Sequence, residues 1–257
     1  HPKSKHLTAF VTPFGCFQFC RMPFGLASAA AVFQRLMNTL FGNMQGIIFF
    51  QDDILIMGKN KKEHDARLVK VMEILRSKGL TAEISKCKFS KHQVSYLGHM
   101  ISKNGISPKE KLIEQIKSSP SPQSNDDIRS FLGKAEYYAK FVPGFASKTF
   151  PLRQLLKKKS EFEWSSHLQS CFHDIKLAIC RAPNLIGFDP SLPSTITTDA
   201  SGKGLGAVLT QNGDGKEHVI AYASRSLSMC EEKYSVIKRE MLACVWAMEY
   251  FRQYIWE

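Results

Sequence analysis

The sequence predicts an α+β fold, two regions that mix helices with short strands and a run of helices between them. Three observations predict it. The runs IIFF and ILIM (47–50 and 54–57) are apolar but too short for buried helices, and they flank Gln51-Asp52-Asp53 as a hairpin would. Before them Val32, Phe33, Leu36, Met37, Leu40 and Phe41 recur at three- and four-residue steps, one apolar helix face. After residue 190 the pattern changes, and STITTDAS, GLGAVLTQ and HVIAYAS read as three strands.

The remaining elements follow in order. TAFVTPFGCFQFCRMPFG reads as short strands interrupted by Pro13-Phe14-Gly15 and Pro23-Phe24-Gly25. The first helix starts at Ser28 and ends at Gly42. A basic helix follows in EHDARLVKVMEILRSKG, with Leu68, Val71, Met72 and Leu75 as its stripe and Gly79 as a left-handed stop. SYLGHMI, the turn Lys103-Asn104-Gly105 and Ile106 form a second hairpin. Ser107-Pro108-Lys109-Glu110 carries helix-start signals, with Ser107 expected as N-cap. SSPSPQS (118–124) is a linker, and helices are expected over 126–141, 149–159 and 167–181. The last two strands join at the turn Asn212-Gly213-Asp214-Gly215, and a long helix begins near Tyr234.

The chain has 257 residues, 44% hydrophobic and 23% charged, enough to build real cores. Lys and Arg number 35 against 23 Asp and Glu, a formal charge of +12. That excess points to a polyanion, nucleic acid first and an acidic membrane second, or to a solvated basic surface without a specific partner. The 7 cysteines are irregularly spaced and form no Cys-x-x-Cys pair, so reduced thiols inside a cell are expected, and no zinc site. No transmembrane run is present in the sequence.

Asp52 and Asp53 pose the chemical question. Asp is common in tight turns, so an ordinary polar tip is one reading. A two-residue tip, however, is better served by Gly or Asn than by a second Asp. A hard divalent cation explains both, since Mg²⁺ takes carboxylate oxygens and leaves positions open for phosphate oxygens.

Here the sequence resembles the reverse transcriptase and ribonuclease H region of gypsy-like long-terminal-repeat retrotransposon Pol polyproteins. FFQDDILIM is similar to the family's aromatic-x-Asp-Asp motif, with Phe50 in the place usually held by Tyr. RMPFGLASAAAVFQRLM resembles the block before it, VSYLGHMIS the primer-grip hairpin, and FLGKAEYYAKFVPGFA, FEW and YSVIKREMLACVWAMEYFRQYI later blocks. These occur in the family's order across essentially the whole chain. TTDASGKGLGAVLTQ mimics a phosphate-binding loop, but a strand-like Ala-Val-Leu follows its glycines where a helix is needed. It resembles the first ribonuclease H strand instead.

The resemblance implies an α+β arrangement: a partial polymerase palm, helical thumb and connection, and the N-terminal part of a ribonuclease H-like domain. Domains over 1–106, 107–186 and 187–257 are expected. It implies an RNA-directed DNA polymerase that extends a primer with dNTPs, fused to a ribonuclease that cuts RNA in RNA–DNA hybrids. Asp52 and Asp53 would hold metal in the first site, Asp199 and Glu240 in the second, with two Mg²⁺ or Mn²⁺ ions per site. Glu240 as a solvent-facing helix residue is the alternative reading. Phe24, Gly25, Gln34, Phe50 and Gln51 would shape the nucleotide site, and Lys86 would protonate the departing pyrophosphate. Tyr96, Leu97, Gly98 and His99 would press on the primer backbone, and Lys109, Lys111 and Lys117 would contact phosphates.

The expected partners are RNA and DNA template-primer, RNA–DNA hybrid, dNTPs and the remainder of the Pol polyprotein, with no membrane. The expected place is a cytoplasmic virus-like particle or the nucleus. The family's third polymerase carboxylate and later ribonuclease aspartates belong to blocks outside this sequence, so the chain alone is expected to be inactive. Ala30 and Ala139 also depart from the usual Pro and Arg. A non-catalytic remnant that only binds nucleic acid is the competing class.

Overall fold

The computed structural model describes residues 2–157, 162–213 and 215–256, and the chain divides into two compact units, His1–Phe89 and Ser90–Glu257. In the first unit a 3-10 segment, Pro2–Thr8, leads into a small antiparallel pair, β1 (Phe10–Thr12) and β2 (Gly15–Phe17). No strand forms around Pro23-Phe24-Gly25. Helix α1 (Ala29–Phe41) begins after Ser28 and stops at Gly42, as its periodicity predicts.

Strands β3 (Ile47–Phe50) and β4 (Asp53–Ile56) then form the expected hairpin in a tighter register. Phe50 pairs with Asp53, so the loop is Gln51-Asp52 alone and Asp53 is the first residue of β4. The two aspartates therefore do not share the tip. Helix α2 (Lys61–Ser77) starts at the Asn60 cap, whose side chain accepts from the Glu63 N–H, and chain reversal follows at Gly79 with φ 66°. Its stripe is narrower than predicted. Val71 and Leu75 are buried with Met37, Phe41 and Ile47, whereas Met72 stays exposed.

The second unit opens with the three-stranded antiparallel sheet β5 (Gln93–Tyr96), β6 (His99–Ser102) and β7 (Gly105–Pro108). Ser107 and Pro108 pair with Met100 and His99, which removes them from the helix start predicted there. Lys109 takes the N-cap of α3 (Glu110–Lys117) without a side-chain bond. Ladder pairing has outcompeted a local capping signal.

After the 118–124 segment, Ser124 caps α4 (Asn125–Glu136) by accepting from the Asp127 N–H at 3.1 Å. The predicted helix to residue 141 ends early, and Ala139–Phe141 form a separate 3-10 turn. Helix α5 (Phe145–Lys157) starts four residues before the predicted Thr149, and residues 158 and 159 of that prediction lie outside the described residues. Pro151 sits inside α5, where it lacks the N–H that would bond one turn back. Helix α6 (Ser166–Cys180) completes the group. Ile128, Phe131, Leu152, Phe172 and Ile175 are the centre of its core, with Phe131 and Phe172 rings 4.4 Å apart.

Strands β8 (Ser194–Ala200), β9 (Gly204–Gly213) and β10 (Lys216–Ser226) form an antiparallel sheet in the order β10-β9-β8. Asp214 of the predicted connecting turn lies outside the described residues. Buried Gln211 ties the preceding loop to β9, accepting from the Asp189 N–H at 3.0 Å and donating to the Asp189 carbonyl at 2.8 Å. Helix α7 (Val236–Tyr250) follows the Ser235 cap and gives way at Phe251 to a last turn, α8 (Arg252–Ile255). Ala243, Ala247 and Phe251 on this stretch are fully buried.

The segment before β8 joins two sheets. Leu185 and Ile106 exchange backbone bonds at 2.7 and 2.9 Å, and Ile186 donates to the Val219 carbonyl at 2.9 Å. Among the described residues no helix is long and apolar enough to cross a membrane.

Candidate active site

The first constellation belongs to the β3–β4 hairpin. A two-residue loop needs left-handed backbone, and Gln51 supplies it with φ 51°. A residue with a Cβ pays about 1–2 kcal/mol there. The side chain of Gln34 on α1 offsets part of this, because its Oε1 accepts the Gln51 N–H at 2.6 Å. Asn38, one turn along α1, accepts in turn from Gln34 Nε2 at 3.0 Å. This chain of bonds fixes the tip against a packed helix.

Asp52 and Asp53 are both exposed, and among the described residues neither is tied into an ion pair. Exposed carboxylates on neighbouring residues, one in the loop and one opening β4, are hard oxygen donors of the kind a divalent cation takes. Among the described residues there is no group of three or more His, Cys, Asp or Glu positioned to hold a metal. Phe50 is half exposed beside the tip. Phe24 is fully exposed, and Gly25 adopts φ 84° with open space where a side chain would go. Lys86 lies in a 3-10 turn and pairs with Glu83 at 2.8 Å.

The second constellation is the β5–β6 hairpin. Tyr96 pairs with His99, and Leu97-Gly98 turn the chain with φ 43° and 74°. The Tyr137 hydroxyl donates to the Leu97 carbonyl, and the Tyr137 ring stacks on His99 with centroids 4.9 Å apart. Burial, helped by the Lys140 charge, pushes His99 down to about 4, so the ring is neutral near pH 7. Burial also lowers the Lys140 ammonium and raises the Tyr137 phenol. Tyr138 is pushed up to about 12, by burial first and by Tyr137 second. Lys109 caps α3, and Lys111 and Lys117 stand exposed on that helix.

The third constellation lies where β8 ends and α7 begins. Strand alternation turns Ile196, Thr198 and Ala200 toward α7, and Thr198 Oγ1 lies 3.3 Å from Cys244 Sγ. Asp199 falls on the alternate row, opposite Gly206, and is exposed. Glu240 sits one turn before Cys244, and its neighbour Arg239 donates to the Ser201 carbonyl at 3.2 Å. Asp199 and Glu240 thus occupy the same end of the sheet.

The structure therefore brings Gln34 to Gln51, the residue before Asp52. It also reveals Tyr137, which sequence spacing does not connect to residues 97–99. The sequence signal for it is only the Tyr137-Tyr138 pair at the end of an amphipathic helix.

Comparison with known proteins gives two matching families. Residues 1–101 match the reverse transcriptase (RNA-dependent DNA polymerase) family, and residues 164–257 match the RNase H-like domain found in reverse transcriptase. The chain is similar to the retrovirus-related Pol polyprotein from transposon 297 of Drosophila melanogaster, 38% identical over 96% of this chain and 23% of that one. It is also similar to the transposon Tf2-3 polyprotein of Schizosaccharomyces pombe, 34% identical over 98% of this chain and 19% of that one. It spans about a fifth to a quarter of these relatives' length. Among solved structures, the foamy viral protease–reverse transcriptase in complex with an RNA/DNA hybrid aligns over 98% of this chain and 34% of that one, at TM-score 0.85 and 25% identity. The same viral protein in complex with double-stranded DNA aligns over 100% of this chain and 54% of that one, again at 0.85 and 25%.

Proposed function

Because the chain belongs to the reverse transcriptase and ribonuclease H region of retrotransposon Pol polyproteins, we propose that it forms part of an enzyme that copies RNA into DNA. The substrates would be a primer annealed to RNA or DNA template, dNTPs, and the RNA strand of the resulting hybrid. The observation that carries the reading is the bond between Gln34 and Gln51, which braces a hairpin with exposed Asp52 in its loop and exposed Asp53 at the start of β4.

Enzymes of these families use divalent metals, and the hard, exposed carboxylates of Asp52 and Asp53 suit such ions. In the second place Asp199 is exposed on the row facing away from α7, and Glu240 is partly buried on that helix. Asp52 and Asp53 would hold them in the polymerase part, Asp199 and Glu240 in the ribonuclease part. Bound Mg²⁺ or Mn²⁺ would supply activation of a hydroxyl or water and neutralise charge on the phosphate. The protein's own work is placement. Gln34 keeps the tip from yielding, Gln51 and Phe50 flank the space for the incoming nucleotide, and Phe24 and Gly25 form its proposed floor. Lys86 is the proposed proton donor to pyrophosphate, and its present partner Glu83 is an exposed neighbour it can leave.

The β5–β6 hairpin would grip the primer strand, with Lys109, Lys111 and Lys117 contacting phosphates from α3. A charge of +12 supports the nucleic-acid partners without choosing among them. Division into palm, thumb with connection, and ribonuclease parts at residues 1–106, 107–186 and 187–257 belongs to the same proposal. Each site here supplies a pair of carboxylates, so we expect the isolated chain to bind primer–template without extending it.

Primer extension by the longer Pol chain tests the reading. Asp52→Asn should abolish dNTP incorporation while leaving duplex binding intact. Undiminished incorporation would remove Asp52 from the site, and binding without incorporation by the unmodified longer chain would favour a non-catalytic nucleic-acid-binding protein.

A further inference from the structure

The turn at Leu97-Gly98 is unusual in being held from outside its own hairpin. Left-handed backbone at Leu97, φ 43°, is costly for a residue with a branched side chain and persists only where surroundings impose it. The imposing group is Tyr137, 40 residues away, whose hydroxyl donates to the Leu97 carbonyl. A second contact comes from the ring, which lies nearly parallel to His99 at 10° and 4.9 Å. A third is steric. A Cβ on Gly98 would stand 2.8 Å from Tyr137 Oη and 3.2 Å from Cζ, so the ring's seat requires glycine. Phe141 supports His99 from the next turn at 5.6 Å.

We propose that Tyr137 is a positioning residue for the primer strand: it clamps the turn that carries Leu97 and Gly98 and so fixes where the primer end rests. The proposal deepens the polymerase reading and rests on it. Geometry explains how the clamp acts. In a trans peptide the C=O and N–H point in opposite directions, and this chain has no cis bonds among the described residues. Tying the Leu97 carbonyl to Tyr137 therefore aims the Gly98 N–H away from the clamp, toward whatever strand the hairpin meets. The neutral His99 keeps the stack free of a buried charge.

Tyr137→Phe removes the hydroxyl and keeps the ring. The full chain and this variant are titrated with a labelled DNA primer–template carrying a recessed 3′ end, and with a blunt duplex of equal length. The variant should bind the blunt duplex as before and lose about fivefold of its preference for the recessed end, the value of one hydrogen bond. Amide exchange over residues 96–99 should quicken by a similar factor while α4 and α6 keep their protection.

Gly98→Ala is the second variant. It should lose the same preference, and adding Tyr137→Phe should cause little further loss, because both changes undo one clamp. An unchanged end preference in Tyr137→Phe overturns the proposal. So does equal weakening on both duplexes with faster exchange throughout 90–257, which would mark a merely structural tyrosine. An unmodified chain with no preference for the recessed end would sink the polymerase reading itself, and the clamp's role with it.

Discussion

Gln34 and Gln51, 17 residues apart, are joined by a 2.6 Å bond from the Gln51 backbone N–H to the Gln34 side-chain oxygen. A helix side chain is thus buttressing the one left-handed residue of a two-residue loop. Replacing Gln34 with Ala should cost about 1 kcal/mol in urea unfolding. Gln34→Glu should cost less, since it keeps the acceptor and loses only the donor to Asn38. Gln51→Gly should unfold at higher urea than the parent, because glycine accepts positive φ without strain.

The exposed aspartates make a metal prediction that needs no activity. Mn²⁺ added to the isotope-labelled chain should broaden amide signals around residues 50–54, and Asp52→Asn with Asp53→Asn should abolish that broadening. Equal broadening in the double variant would place the ion elsewhere.

His99 sets an acid limit. In the unfolded chain its imidazole gains a proton near 6.5, while the folded ring resists protonation down to about 4. Between those values the unfolded state binds more protons, so stability falls as pH falls from 6.5 to 4. His99→Phe keeps a ring against Tyr137 and should flatten the pH dependence in that window.

Glu231 behaves in the opposite chemical sense. Its carboxylate takes two bonds from Arg225, at 2.8 and 2.9 Å, and that guanidinium, with the Ser228 N–H, holds it down to about 2. The stabilisation is present above 4.5 and is lost as pH falls toward 2. Glu231→Gln should cost about 1 kcal/mol at pH 7, and the two proteins should converge in stability near pH 2.

Phe172 tests the helical core. It is buried against Phe131 and Trp164, and Phe172→Ala should cost about 3–5 kcal/mol in thermal or urea unfolding of residues 90–257.

Much of this was legible because periodicity survives folding. Strands β8 to β10 match their residue patterns closely, and on α1 Phe33, Met37, Leu40 and Phe41 pack inward while Val32 and Leu36 of the predicted face stay exposed. What failed was local grammar overruled by pairing. Ser107 and Pro108 carry a good helix-start signal, but their partners Met100 and His99 draw them into a ladder. The β3–β4 register tightened by one residue and pulled Asp53 out of the loop, since Phe50 and Asp53 can pair. Thr149 looked like a helix start, yet its hydroxyl bonds back to the Phe145 and Ala146 carbonyls from within α5. For the candidate site, the resemblance proposes residues but says nothing of their contacts. Nothing in a linear pattern links Tyr137 to Leu97 across 40 residues.

The two-sided bonding of Leu185 and Ile186 bears on how such elements can diversify. Neighbouring peptides there reach in different directions, one into β7 through Ile106 and the other into β10 through Val219. The Ser224 hydroxyl adds a further tie, accepting from the Ala146 N–H at the start of α5. An exchange of genetic material that cut at residue 186 would bring together halves with no shared history. Either half would have to match the other's backbone register, not merely its reading frame. Lineages should therefore inherit residues 90–257 together, with few crossovers surviving within them.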